Sequence, residues 1–256
     1  MKSNRNKSKE IVIIGGGFAG INLAKNLLKK DDYNVTLVDR NNYNFFPPLI
    51  YQVATGFLEI SSISYPFRKL FRYKKNISFR LGEFFRLDPA SHTCYLDNGS
   101  IQYDYLVFAA GVETNYFGNE NIRKNAIPMK TVNDTARMRN FLLQSLEEAS
   151  RSHDAAEKRK LSTMVVAGGG PTGVEVADLF PSKFHVGGYL ALIIWLFVHL
   201  TSLITVRNKF KTLTEWIIAY FTRDQALRMI VRPDNPVREK TILPEIENYK
   251  TKKVNI

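Results

Sequence analysis

Two runs of apolar, mostly β-branched residues each lead straight into a cluster of glycines. Ile11-Val12-Ile13-Ile14 precedes Gly15-Gly16-Gly17-Phe18-Ala19-Gly20, and Met164-Val165-Val166-Ala167 precedes Gly168-Gly169-Gly170-Pro171-Thr172-Gly173. Uninterrupted apolar runs suit parallel strands buried on both faces, and the glycines mark a tight turn into a helix. Helical spacing of apolar positions over residues 21–30 and a second strand over 34–39 complete a βαβ unit. Residues 41–56 carry Phe45, Phe46, Pro47 and Pro48 and suit neither helix nor strand. That segment is either a stiff loop offering a flat wall to a planar ring or a buried hydrophobic connector. Over 61–75, Phe67, Leu70 and Phe71 share one helical face and Arg68, Lys69, Arg72, Lys74 and Lys75 surround the other, an amphipathic stretch. Residues 77–81, 93–96 and 101–102 suggest short antiparallel strands, with Asp97-Asn98-Gly99 as a turn. The segment 103–111 suggests a buried strand ending on Ala109, Ala110 and Gly111, small residues that admit a ligand closely. A helix over 133–149 is expected, capped by Thr131 or Asn133, with Met138, Phe141, Leu142 and Leu146 on one face. The charged segment 151–160 then marks a boundary before the second glycine cluster.

Residues 184–206 contain no Asp, Glu, Lys or Arg and lie between Lys183 and Arg207. The length would allow a membrane span, but Gly187, Gly188, His199, Thr201 and Ser202 dilute it. A helix lying in the membrane interface therefore ranks ahead of a span, with a buried core helix third. Leu213, Trp216, Ile217, Tyr220 and Phe221 would form a second apolar face, and Trp195 and Trp216 are expected to hold the protein to the membrane. A net charge of +12 and an isoelectric point near 9.7 call for an acidic partner. Arg207, Lys209, Lys211, Arg223, Arg228, Arg232, Arg238 and Lys240 follow the apolar stretch, and no nucleic-acid motif is present. The expected partner is the bilayer surface at the cytoplasmic face of the cell membrane, and no nucleic acid. The lone Cys94 excludes an internal disulfide, a dithiol centre and a cysteine-based metal site; no metal is expected.

The glycine clusters carry the candidate chemistry. In such a fingerprint the first glycine permits the turn, the second lets a pyrophosphate reach the backbone, and the third allows close packing, with phosphate at the helix N-terminus. Asp39 stands nineteen residues beyond Gly20, at the end of the second strand. A carboxylate there accepts hydrogen bonds from a ribose 2′-hydroxyl and repels a 2′-phosphate. Candidate contacts for one dinucleotide are Gly15, Gly17, Phe18, Ala19, Gly20, Asp39, Arg40, Pro48, Ala110 and Gly111. Those for a second are Gly168, Gly170, Thr172 and Gly173. Two dinucleotides on one chain imply electron transfer between them. Glu175 lies near a helix start, where the helix dipole keeps a carboxylate ionised.

The glycine fingerprint with Asp39, the Phe45-Phe46-Pro47-Pro48-Leu49-Ile50-Tyr51-Gln52-Val53-Ala54 segment, Tyr103-Asp104-Tyr105-Leu106-Val107 before Ala109-Ala110-Gly111, and residues 168–175 together resemble type II NADH dehydrogenases. The likeness is collinear and extends through Trp195-Leu196-Phe197-Val198-His199-Leu200 and residues 224–233, covering roughly residues 10–233. It implies an α/β, Rossmann-like FAD/NAD(P)-binding fold with C-terminal membrane-associated helices. FAD would lie on the first fingerprint and NADH on the second. Hydride would pass from NADH to the flavin and electrons on to a membrane quinone, without proton pumping. Glu175 matches the family's glutamate near the nicotinamide and quinone and is the catalytic candidate. Sulfide:quinone reductase, a neighbouring class, needs reactive cysteines that a chain with Cys94 alone lacks. A homodimer stays open.

One departure changes this picture. After Gly173-Val174-Glu175-Val176-Ala177 the chain passes within about ten residues into the membrane-anchoring end. Such families place there the remaining strands of the NADH domain, an acidic residue for its ribose, a second flavin contact and a quinone-site motif. A parallel strand pair needs a crossover unit of about thirty residues, so the second half-site should be a fragment. The expected organisation is an FAD-binding domain with an inserted meander over 1–150, a βα fragment over 160–180, anchoring helices over 184–233 and a polar tail over 234–256. The strand at 164–167 must pair elsewhere or stay exposed. The competing function is an impaired, internally shortened remnant that keeps partial FAD binding and membrane contact.

Overall fold

The computed structural model describes residues 8–178 and 189–222. Strand β1 (Lys9–Ile14) turns through the glycines into helix α1 (Phe18–Leu27) and returns as β2 (Tyr33–Asp39). A short β3 (Tyr43–Phe45), a 3-10 turn at Pro47–Leu49, α2 (Ile50–Ala54), α3 (Ile60–Ile63), β4 (Ser64–Pro66) and α4 (Phe67–Leu70) follow. Then come β5 (Ile77–Leu81), β6 (Phe84–Asp88), β7 (Thr93–Leu96), β8 (Gly99–Gln102) and β9 (Tyr105–Phe108). The helices α5 (Glu120–Asn125), α6 (Val132–Arg151), α7 (Ala155–Ser162), α8 (Pro171–Asp178), α9 (Tyr189–Ser202) and α10 (Val206–Thr222) complete the described chain. It divides into two units: residues up to 138 together with those from 165 to 222 form the first, and 139–164 belong to the second.

The first unit is built on a parallel sheet of order β5-β2-β1-β9, with Ile11 opposite Val35 on one side and Tyr105 on the other. The apolar run of β1 is explained by its central place. Ile11 and Ile13, with Val35 and Leu37, pack on Ile21 and Ala24 of α1 and on Phe67 and Phe71. Val12, Ile14 and Val38 pack on Cys94 and Leu96 of the antiparallel meander β6-β7-β8 across the other face. Each fully buried side chain such as Ile13 or Leu37 contributes about 1.5–3 kcal/mol,. Cys94 is a core thiol whose titration burial pushes up.

Several expectations need correction. Residues 77–81 do not join the meander but run parallel to β2; alternation marks a strand but not its direction,. The meander's first strand is β6, a segment to which no element is assigned from sequence. β9 is an edge strand and not a buried one, with Tyr105 and Phe108 each 54% exposed. The amphipathic stretch is not one helix: β4 ends at Pro66, which lacks an N–H, before α4 begins,. The Phe45 to Ala54 segment is the buried connector, with Phe46, Leu49, Ile50, Val53 and Ala54 all in the core. α6 matches its expected span and is capped by Thr131, whose hydroxyl accepts the Asp134 N–H at 3.1 Å while Asp134 accepts the Thr131 N–H at 2.9 Å,. Its Phe141 and Leu146 are exposed.

The largest correction concerns Met164-Val165-Val166-Ala167, which forms no strand; Val165 is 87% and Val166 43% exposed. A strand needs a hydrogen-bonding neighbour, and no described strand pairs with these residues,. No described helix is long and apolar enough to cross a membrane. The expectations for Lys183 and residues 184–188, and for Arg223, Arg228, Arg232, Arg238, Lys240, residues 224–233 and the tail 234–256, lie outside the described residues.

Candidate functional site

The site lies where the strand order reverses, at the carboxyl ends of β1, β2 and β9,. Gly15 has a φ of +105°, and a Cβ there would meet the Ala109 carbonyl oxygen at 2.2 Å and the Ala110 Cα at 2.9 Å. A Cβ on Gly20 would meet the Gly15 carbonyl oxygen at 1.9 Å, so helix and turn are in backbone contact. Gly17 differs: its φ is −73°, and a Cβ there would meet nothing within 4 Å. The fold does not require a glycine at 17; the open space beside it does, if a ligand is to approach the backbone. Phe18 and Ala19 start α1 and are exposed. Among the described residues no side chain caps α1, so its first-turn amides have neither an intrahelical nor a side-chain acceptor,.

Asp39 stands at the end of β2 beside this turn. One carboxylate oxygen accepts the Gly16 N–H at 2.6 Å and the other the Asn41 N–H at 2.7 Å. Burial and the Asp39 charge together push the Tyr43 phenol above its ordinary range. Arg40 is exposed beyond the strand, Pro48 is half-buried in the 3-10 turn, and Ala110 and Gly111 are exposed beside Gly15, with Gly111 at a φ of +74°. The structure thus gathers Gly15, Gly17, Gly20, Asp39 and Ala110 around one turn. Two participants are not signalled as site residues by the sequence. Asn44, buried, donates from Nδ2 to the Gly16 carbonyl at 2.9 Å. The Phe67 ring lies 2.2 Å from where a Gly16 Cβ would be. Both are contacts across the chain that no local pattern marks.

The second fingerprint repeats the turn without the sheet. Gly168 has a φ of +124°, a Gly173 Cβ would meet the Gly168 carbonyl oxygen at 2.3 Å, and Gly170 faces open space, as Gly17 does. Thr172 is half-buried in the first turn of α8. Glu175 is half-buried one turn further, next to the buried Val176, on a helix that packs against α2. These residues could hold a pyrophosphate; a second strand with an acidic residue for the ribose is not supplied by the described residues.

The hairpin of α9 and α10 clasps the aromatic connector. Trp195, Leu200, Leu203 and Trp216 pack on Phe46, Leu49, Val53 and Ile63. The Trp216 indole donates to Gln52 Oε1 at 2.7 Å, Asn208 donates to the Ser64 carbonyl at 3.1 Å, and Ser62 donates to Glu215 at 2.7 Å. Lys211 pairs with Glu59 and Glu215, and its hydrogen bond, with that of Ser61, holds the Glu59 carboxyl below its usual range. Trp195 and Trp216 therefore face the protein, contrary to the outward role expected of them: an indole N–H beside Gln52 has a partner there. The outward apolar positions include Ile194, Phe197, Val198, Phe210, Ile218 and Phe221, together with the expected Leu213, Ile217 and Tyr220.

The family model for pyridine nucleotide-disulphide oxidoreductases matches residues 9–224. The chain belongs to that family. Its resemblance to type II NADH dehydrogenases is supported by named relatives. It is 42% identical over 171 residues to the type II NADH:quinone oxidoreductase NdhA of Mycobacterium tuberculosis, covering 65% of this chain and 36% of that protein. It is 37% identical over 183 residues to an external alternative NAD(P)H-ubiquinone oxidoreductase, B2, of Arabidopsis thaliana, covering 67% and 31%. The structure of NDH2 from Plasmodium falciparum in complex with NADH superposes with a TM-score of 0.60 at 29% identity, over 66% of this chain and 36% of that one. The chain thus spans about a third of the length of the relatives it matches.

Proposed function

We propose that this chain serves FAD-dependent transfer of electrons from NADH to a membrane quinone, without proton pumping, with its FAD held on the first glycine turn. The observation that carries this reading is the Gly15-Gly17-Gly20 turn with Asp39 beside it, at the point where the sheet order reverses. The residues fit the adenosine diphosphate half of FAD: Gly17 leaves room for the pyrophosphate, the α1 amides face it, and Asp39 is placed for the ribose. Bound flavin supplies hydride acceptance and onward electron donation. Gly168, Gly170, Thr172 and Gly173 would meet the NADH pyrophosphate, and Glu175 would serve as proton carrier or substrate contact near the nicotinamide.

A second reading rests on one specific observation. The exposed Val165 and Val166 belong to a half-site without its partner strand, which favours a chain that binds FAD and the membrane but turns over poorly,. An anaerobic absorbance titration separates the two. The first reading expects protein-bound flavin that bleaches with NADH and recovers with a soluble quinone, more slowly in Glu175→Gln. Bound flavin that NADH leaves oxidised would select the second.

Membrane contact is assigned to the outer face of the α9–α10 hairpin, lying in the interface with Arg207 and Lys209 towards headgroups. Phe197 and Phe210 are 65% and 68% exposed there. A buried phenylalanine contributes about 1.5–3 kcal/mol, so the double substitution Phe197→Ser, Phe210→Ser should weaken sedimentation with anionic vesicles at least about tenfold. Undiminished sedimentation would place the contact elsewhere.

A further inference from the structure

The Gly16 backbone is held from both sides by side chains, and the geometry of the peptide group makes this consequential. Asp39 Oδ2 accepts the Gly16 N–H at 2.6 Å, and Asn44 Nδ2 donates to the Gly16 carbonyl at 2.9 Å. A trans peptide is planar, with its C=O and N–H pointing in opposite directions. Fixing the Gly16 N–H therefore also fixes the Gly15 carbonyl, which is the atom a Gly20 Cβ would meet at 1.9 Å. Fixing the Gly16 carbonyl likewise fixes the Gly17 N–H and turns it away from Asn44. Gly17 is the glycine of the first turn beside open space, and it is exposed.

We infer that Asn44 is a positioning residue of the dinucleotide site: by holding the Gly16 carbonyl it aims the Gly17 amide at the pyrophosphate before any nucleotide arrives. The ligand class is a nucleoside diphosphate, and the inference rests on the FAD reading above. Asn44 is 6% exposed, and β3, which carries it, pairs with β4, so the amide does not need to be ordered by the ligand. Without that donor, the unpaired Gly16 carbonyl would leave the Gly16–Gly17 peptide free to rotate and would lose the orientation of the Gly17 amide.

The test compares ADP with adenosine, which reaches Asp39 but not the turn. Asn44→Leu removes the donor at similar volume, and Asn44→Asp keeps the shape while facing one acceptor with another. Calorimetry on the full chain should show ADP and FAD binding about tenfold weaker in either variant, the scale of one lost hydrogen bond, with adenosine binding unchanged. A residue that only supports the fold would lower the melting temperature and leave the ADP-to-adenosine ratio alone; that result overturns the inference. Hydrogen exchange on the unsubstituted protein gives a readout free of folding defects. The Gly16 amide should be protected without ligand, and the Gly17 amide should become protected when ADP is added. A Gly17 amide that bound ADP leaves unchanged refutes the positioning role while the FAD reading stands, whereas a protein that takes neither ADP nor FAD refutes both.

Discussion

Gly15→Ala and Gly17→Ala, two residues apart in one turn, should fail in opposite ways. Gly15 combines a left-handed φ of +105° with an Ala109 carbonyl 2.2 Å from the added Cβ. Backbone strain at such a position costs about 1–3 kcal/mol and a forced contact with backbone about as much again. Against a total stability of about 5–15 kcal/mol, the sum threatens the whole sheet, because β1 and β9 meet there,. Gly17 has an ordinary φ and no neighbour for its Cβ, so alanine should leave thermal stability within about 0.5 kcal/mol,. The methyl group would instead occupy the approach to the backbone, and FAD affinity should fall by about tenfold or more. Melting curves and FAD titrations on both variants check the contrast. Gly17→Ala binding FAD as the parent does would mean that no pyrophosphate lies on this turn.

What can be read from the sequence follows the range of the interactions involved. The βαβ unit, the α6 cap and the Asp97-Asn98-Gly99 turn are encoded within a few residues, and all are present. The direction of β5 is not legible, because a strand's alternation is the same whichever neighbour it joins. The inward turn of Trp195 and Trp216 depends on Gln52 and Phe46, far away in the chain. Met164-Val165-Val166-Ala167 is the most instructive case. Its residues match those of β1 in character, yet β1 is a strand because β2 and β9 flank it, while Val165 is exposed. The short passage after Gly173 gives warning of this, since a half-site without its second strand gives the first nothing to pair with. Asn44 and Phe67, which shape the Gly16 turn, leave no local trace at all.

Phe67→Ala should be among the most damaging single substitutions in the core, and its damage should extend to the site. The ring is fully buried, stacks on Phe79 at a centroid distance of 4.8 Å, and lies against Gly16. Truncation of such a ring costs about 3–5 kcal/mol, through lost burial and the cavity left behind. Phe71 is buried in the same cluster, but its ring is not among the atoms nearest to a Gly16 Cβ. Phe71→Ala should therefore lower the urea midpoint comparably, while the folded protein keeps its FAD affinity; Phe67→Ala should lose both. The coupling can be isolated. Gly16 does not need a positive φ, and the three atoms nearest its added Cβ all belong to the Phe67 ring, with Cζ at 2.2 Å. Gly16→Ala alone should thus destabilise the protein by forcing a ring that the core holds in place. In the Phe67→Ala background the same methyl group enters vacated space, so the double variant should be more stable than the sum of the two single losses. Additive losses would show that Phe67 does not support the turn, and that its contribution is to the core alone.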